Sequence, residues 1–152
     1  MLILIGAVGR ARTGPEAELY AQFAARLTWP VTLREVVEKR PLPAAELKNR
    51  EAELLLAAPA DDARVVALDP RGRAVDSRQF AETLRRWRDQ GVREVAFLIG
   101  GAEGHGDAVL ERADLTLSLG PMTWPHLLVR AMLAEQLYRA QSILGGHPYH
   151  RD

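Results

Sequence analysis

The stretch EVAFLIGGAEGHG, residues 94–106, decides the fold class. The segment from Glu94 to Ile99 has the length of a buried strand, and all of its residues after Glu94 are apolar. Glycines follow at positions 100, 101, 104 and 106. Glycine lets the backbone approach a ligand closely, and open α/β sheets bind ligands beyond the carboxyl ends of their strands. We therefore predict a strand that ends in a ligand-binding loop, although a tight turn alone would also explain the glycines.

Similar apolar runs occur along the rest of the chain and predict further strands. The candidates are residues 2–8, 64–69 and 114–119, with a weaker one at 31–37. Amphipathic segments separate these runs. Such alternation predicts an α/β fold with a mostly parallel sheet and helices on both faces. Residues 1–152 fit a single domain, because a chain of this length buries most of its apolar surface in one core.

Apolar residues at helical spacing predict the helices between these strands. Leu19, Phe23 and Leu27 recur every four residues after Thr13 and Glu16, which predict a capping box. Further helices are predicted after Pro43, after Asp76 and Ser77, at 106–113 and from about 126 to 143. The last helix is apolar over a wider arc than one core-facing stripe requires. Full burial would explain that arc, and so would a second subunit packed on the helix.

Composition excludes several classes of protein. The chain has no cysteine, so it has no disulfide, thiolate nucleophile or thiolate zinc site. Twenty basic residues balance twenty acidic ones, so any contact with nucleic acid must come from local patches. Eighteen of the basic residues are arginines, which suit phosphate but also occur in proteins of GC-rich genomes. No run reaches the roughly 20 apolar residues of a membrane helix and no leader is visible, so we expect a cytoplasmic protein without a membrane partner.

Two later stretches also suggest a functional site. In GPMTWP, residues 120–125, two prolines bracket a stiff loop whose backbone groups are free to hold an adenine edge or a similar group. Taken alone, Met122 and Trp124 are typical core or interface residues. The chain ends in HPYHRD, residues 147–152, which we interpret as an active-site tail. Its histidines lack convincing partner ligands, so we expect no metal. The spacing of a dinucleotide fingerprint and the lysine of a phosphate-binding loop are absent.

Four segments together resemble one known family. LIGGAEG, LSLGPMTWPHLLVR, AEQLYRAQSI and HPYHRD are similar to the RlmH (YbeA-type) ribosomal large-subunit pseudouridine N3-methyltransferases of the SPOUT class. The resemblance covers essentially the whole chain and is densest from residue 94 onward. The chain departs from the family pattern in Ala102, where proline is common, and in Asp152, where glutamate is common.

The resemblance implies a trefoil-knotted SPOUT fold, a homodimer and binding of S-adenosyl-L-methionine. It implies methylation of N3 of a pseudouridine in 23S rRNA on assembled ribosomes, at a site built across two subunits. The cofactor-binding residues that it implies are Leu68, Gly101, Gly120, Pro121, Met122, Thr123, Trp124 and Pro125. We expect backbone groups to hold the adenine, and a side chain at Gly101 to meet the cofactor.

The reaction suggests roles for the tail. Methyl transfer depends mainly on alignment, but the acceptor imide nitrogen must lose a proton. We assign His150 as base or proton relay, Arg151 as the group that holds ring oxygens or a phosphate, and Tyr149 as a stacking or positioning residue. His105 and His126 are interpreted as loop and helix-start residues, and Arg130 and Glu135 as members of an ion pair between helices. Two alternatives remain: a SPOUT enzyme for tRNA or another rRNA nucleotide, and a non-enzymatic ribosome-binding module.

Overall fold

Five strands form one sheet in a computed structural model that describes all 152 residues. The strands are β1 (Leu2–Val8), β2 (Val31–Val36), β3 (Arg64–Ala74), β4 (Glu94–Ile99) and β5 (Leu115–Ser118). The helices are α1 (Pro15–Ala24), α2 (Ala44–Leu56), α3 (Ser77–Asp89), α4 (Asp107–Arg112) and α5 (His126–Gly145). The strand order is β2-β1-β4-β3-β5, and every neighbouring pair is parallel. The predicted α/β class is confirmed. None of the helices has the length and apolar character needed to cross a bilayer.

Helices cover both faces of the sheet, as predicted. Successive side chains of a strand point to opposite faces, so the strands contribute to two apolar clusters. One cluster contains Ile3 and Ile5 with residues of α3 and α5, and the other contains Leu4 and Val8 with residues of α2 and α4. Helix α5 lies between α1 and α3. Much of its wide apolar arc is therefore buried within a single chain.

Two sequence predictions need correction. The capping box at Thr13 is wrong, because α1 begins with Pro15 after Gly14, which has a φ of 109° and supplies no side-chain cap. Strand β3 is longer than predicted and continues to Ala74. It is irregular between Leu68 and Arg73, and beyond this irregularity it pairs only with β5. Pro70 and Gly72 suggest a turn in the sequence. In the fold, Gly72 instead allows close approach to β5, since an added Cβ would lie 2.7 Å from the Thr116 carbonyl.

The start of α3 agrees with its prediction. Asp76 accepts a hydrogen bond from the Gln79 amide at 2.8 Å, and the Gln79 side chain accepts one from the Asp76 amide at 2.9 Å. This reciprocal pair satisfies two amides that a helix start otherwise leaves unpaired.

A buried ion pair fixes the start of α5. The side chain of Arg130 is only 2% exposed and donates to Glu35 on β2 at 2.6 Å. It also donates to the carbonyls of Val8 and Gly9 at 3.1 and 2.9 Å. Burial alone would raise the pKa of Glu35, but hydrogen bonds from Arg130 and from the Ala11 amide lower it overall. The predicted ion pair between helices is wrong for Arg130, because its partner Glu35 lies on strand β2.

We expect Glu35→Ala to lower the free energy of unfolding by about 2–4 kcal/mol, because the buried guanidinium loses its carboxylate. Urea unfolding at a fixed protein concentration measures this loss. Glu82→Ala is the control, since its carboxylate pairs with Arg85 on the exposed surface of α3 and should contribute less than about 1 kcal/mol. Equal losses in the two variants would contradict the structural role of the Glu35 pair.

Candidate functional site

A cavity of about 720 Å³ opens at the carboxyl ends of β3, β4 and β5. This volume is typical of a small-molecule site. Three segments build most of its wall: the end of β3, the glycine loop after β4, and the loop between β5 and α5. The lining residues are Leu68–Arg71, Ile99–His105, Leu119, Gly120, Met122–His126 and Val129. The cavity therefore lies at the edge of the sheet where the sequence predicts a ligand.

Most of the residues that the sequence assigns to a cofactor surround this one space. Those in the lining are Leu68, Gly101, Gly120, Met122, Thr123, Trp124 and Pro125. Pro121 is exposed and lies outside the lining. The fold thus brings together segments that are up to about 50 residues apart along the chain. Their contacts with a ligand stay a prediction.

The glycine loop turns tightly against the body of the protein. The Gly104 amide donates to the Gly101 carbonyl at 3.0 Å, and Gly104 has a φ of 78°. A Cβ at Gly101 would lie 2.9 Å from the Val8 side chain and 3.2 Å from a carboxylate oxygen of Glu51. A side chain at Gly101 would therefore meet protein behind the loop first, and not a ligand in front of it, contrary to the sequence expectation.

Two histidines, His105 and His126, line the cavity. The sequence did not place them there. His105 lies in the glycine loop, is 5% exposed, and has its Nε2 3.0 Å from the Leu98 carbonyl. His126 is the first residue of α5. Burial lowers the pKa of both imidazoles, with the charge of Arg130 adding to the effect at His126. Burial therefore favours the neutral form of both rings, and the Nδ1 atom of each is buried without a partner.

Asp69 and Arg71 place a fixed ion pair on the cavity wall. The Asp69 side chain is 6% exposed and accepts from Nε and Nη2 of Arg71, both at 3.0 Å. It also accepts from the Arg71 amide at 2.8 Å. The Arg71 hydrogen bonds lower the pKa of Asp69. Sequence reasoning missed this pair, although a carboxylate and an arginine two residues apart after a strand were visible.

The predicted catalytic tail packs on the far part of α5. The Tyr149 hydroxyl donates to Glu135 at 3.0 Å, and its ring packs edge-on against Tyr138. His150 Nδ1 lies 3.2 Å from Nη1 of Arg139 and its Nε2 lies 3.3 Å from Asp152. Asp152 also pairs with Arg78 on α3, at 2.7 Å. Arg151 is exposed and forms no side-chain hydrogen bond. Glu135, whose predicted partner was on another helix, pairs with Arg139 one turn further along α5.

The cavity and the tail lie apart within one chain. His126 lines the cavity at the start of α5, whereas Arg139 holds the tail. The helical rise separates these two residues by about 20 Å along the axis. The sequence suggested one composite site from three motifs, but in a single chain only two of the three meet.

An apolar groove connects the two regions. Its volume is about 710 Å³, and it is lined by residues of α1, α3, β5 and α5. Leu119 and Gly120 belong to the walls of both the groove and the cavity, while Glu135, which holds Tyr149, lies in the groove wall. Leu19 exposes 39% of its surface there. No group of three or more potential ligands is placed to hold a metal ion.

Comparisons with known proteins agree in pointing to one family. Residues 1–150 match the family described as predicted SPOUT methyltransferase. A protein of Paramagnetospirillum magneticum named ribosomal RNA large subunit methyltransferase H is 64% identical over 151 residues, covering 99% of each chain. One of the same name from Rhodospirillum centenum is 55% identical with the same coverage. A probable methylase family protein from Haemophilus influenzae shares the fold, with a TM-score of 0.58, 13% identity, and coverage of 99% of this chain and 70% of that one.

Proposed function

This chain belongs to the SPOUT methyltransferases, within the ribosomal RNA large subunit methyltransferase H family, and we propose that it methylates N3 of a pseudouridine in 23S rRNA. The methyl donor is S-adenosyl-L-methionine. The observation that carries the proposal is the cavity at the carboxyl ends of β3, β4 and β5, lined by the motifs that resemble this family. As an enzyme of ribosomes it would act in the cytoplasm.

The cavity wall fits the donor. The backbone groups of Met122, Thr123 and Trp124 form no hydrogen bond within the chain and are exposed, so they are free to bond a ligand. An adenine edge supplies both donors and acceptors, and the apolar side chains of Leu68 and Leu119 provide surface for its ring. When bound, the donor supplies an electrophilic methyl group on a sulfonium. The protein's own task is to hold and align the acceptor and to remove its proton.

The tail residues suit that task to different degrees. Burial raises the pKa of Tyr149, and its hydroxyl is committed to Glu135, so it positions the tail rather than moving a proton. Arg151 has a free guanidinium for ring oxygens or a phosphate. His150 is the proposed proton acceptor. Because Arg139 is always a donor, its contact with Nδ1 occupies the lone pair of a neutral His150. This contact must open before His150 can accept the proton.

A homodimer would bring the tail to the cavity. The two regions of one chain are about 20 Å apart along α5, so one chain supplies only part of the proposed site. Symmetric dimers use the same patch on both subunits, and the apolar groove between α1, α3 and α5 is continuous with both regions. We propose that a second copy covers this groove and that its tail completes the cavity. We also propose that the chain has the trefoil knot that the family resemblance implies.

We expect methylation of ribosomes from a strain that lacks the enzyme, and far slower turnover on a short isolated stem-loop of 23S rRNA. The chain has no net charge, because 20 acidic residues balance its 20 basic ones. Its overall field therefore attracts naked RNA little, and we expect it to depend on a preassembled surface. Mass mapping of the rRNA locates the product. Equal turnover on both substrates would contradict the ribosomal requirement. A product found only on tRNA would favour the alternative enzyme, and retained donor binding with no product would favour the non-enzymatic module.

We expect Ala102→Trp to weaken binding of S-adenosyl-L-methionine about tenfold or more, because the indole would occupy part of the cavity. Ala102 lines the cavity and is exposed, whereas a side chain added at Gly101, which also lines the cavity, would strike Val8. Ala45→Trp is the control, on the exposed surface of α2 and outside the lining. Calorimetry measures both affinities. Unchanged affinity in Ala102→Trp would refute the assignment of the pocket.

A further inference from the structure

The distribution of paired and unpaired cations is uneven around the cavity. Ion pairs engage most of the chain's arginines, including Arg64, Arg85 and Arg112. Arg10 and Arg12 are exposed and form no side-chain hydrogen bond or ion pair. In a chain without net charge, such free cations decide where a polyanion can bind.

Arg10 and Arg12 lie on a loop that is fixed beside the cavity. This loop, residues 9–14, joins β1 to α1. The Gly9 amide donates to Val36 at 2.9 Å, and the Ala11 amide donates to Glu35 at 2.7 Å. A Cβ at Gly9 would lie 3.4 Å from the ring of His126, which lines the cavity. The nearby carboxylate of Glu35 accepts hydrogen bonds from Arg130 and Ala11. The charge of Arg10 acts on it, but no hydrogen bond forms, so the guanidinium donors of Arg10 and Arg12 stay free.

Arg71 lies on the other side of the cavity and is oriented in advance. Its side chain is 76% exposed, yet two of its nitrogens are held by the buried Asp69. Nη1 forms no hydrogen bond within the chain, although the charge of Asp107 also acts on the guanidinium. An arginine fixed in this way loses little conformational entropy when it binds a ligand. The guanidinium geometry matches phosphate oxygens.

From this arrangement we propose that Arg10, Arg12 and Arg71 bind phosphates of the ribosomal RNA on either side of the target nucleotide. A strand that delivers a base to the cavity passes between the β1–α1 loop and the end of β3. These arginines would hold its backbone there, whereas the tail would act on the base itself. The inference rests on the proposed function and adds the surface by which the enzyme holds its substrate.

The test compares two proteins, the triple variant Arg10→Ala/Arg12→Ala/Arg71→Ala and the control Arg86→Ala. Arg86 is also exposed and unpaired, but it lies near the end of α3, next to the start of β4 and so at the opposite edge of the sheet. Binding to ribosomes from a strain lacking the enzyme is measured over a series of KCl concentrations. Calorimetry with S-adenosyl-L-methionine and light scattering are run on the same samples.

We expect the triple variant to bind ribosomes about tenfold or more weakly, with a slope of log affinity against log salt that is shallower by about 2 to 3. Its mass in solution should match that of the wild type, and its donor affinity should fall far less than its ribosome affinity, because Arg71 alone of the three lines the cavity. Arg86→Ala should behave as wild type throughout. An unchanged affinity and slope would overturn this surface while leaving the proposed function intact. A loss of dimer mass would also overturn it, by assigning these arginines to a subunit contact. Failure of the wild type to methylate ribosomes would instead refute the proposed function.

Discussion

Deletion of residues 149–152 should abolish methyl transfer while the affinity for S-adenosyl-L-methionine stays within a few fold. The lost contacts are those of Tyr149 with Glu135 and Tyr138, the contact of His150 with Arg139, and the exposed pair of Arg78 with Asp152. All lie at the surface of α5 and α3, and exposed pairs contribute little to stability. None of the deleted residues lines the cavity. Single-turnover methylation of ribosomes measures the transfer, and calorimetry measures donor binding. Near-normal activity in the deletion would eliminate the tail mechanism.

Two single substitutions separate the roles inside the tail. His150→Ala should slow transfer by about 10²–10⁴-fold, the usual contribution of a general base. Raising the pH should partly rescue it, because the imide then ionises without help. Arg151→Ala should be slow without pH rescue, since a cationic anchor is not replaced by hydroxide. Rescue of Arg151→Ala, with none for His150→Ala, would reverse the assignment.

Much of the cavity wall could be predicted from the sequence, because most of its segments are loops that directly follow a strand. Parallel strands end at a common edge, so recognising that β4 and β5 each end in a loop was enough to bring Gly101 and Gly120 near each other. The contribution of β3 was harder to predict. Asp69 and Arg71 join the wall only through the pairing of β3 with β4 and β5, and Pro70 and Gly72 concealed that the strand continues.

The position of the tail could not be predicted from its motif. The loop at residues 120–125 and the tail at residues 147–152 are close in the sequence, which suggested one site. The rigid helix α5 lies between them and separates them in space. The predicted helix from about 126 to 143 already implied a length of roughly 27 Å. Helix geometry should therefore have outweighed motif clustering. Likewise, the wide apolar arc of α5 is explained in large part by its position between α1 and α3, so the support for a dimer comes from the groove and from the distance between tail and cavity.

The second large effect should appear in mixed dimers. A chain lacking residues 149–152 keeps its cavity, and an Ala102→Trp chain keeps its tail. If the tail of one subunit acts at the cavity of the other, a heterodimer of these two chains has one complete site. At a donor concentration too low to fill the Ala102→Trp cavity, each variant alone should show little activity. Under the same condition we expect the heterodimer to regain about half the activity of the wild-type dimer, since one of two symmetry-related sites is intact.

Activity of two tandem-tagged heterodimers tests the shared site most directly. The first pairs the tail-deleted chain with Ala102→Trp, and the second pairs a wild-type chain with a chain that carries both changes. A site shared between subunits predicts that the first heterodimer methylates ribosomes and that the second does not, because there the only intact cavity faces the missing tail. An active second heterodimer with an inactive first would contradict the shared site and would show that each chain acts with its own tail.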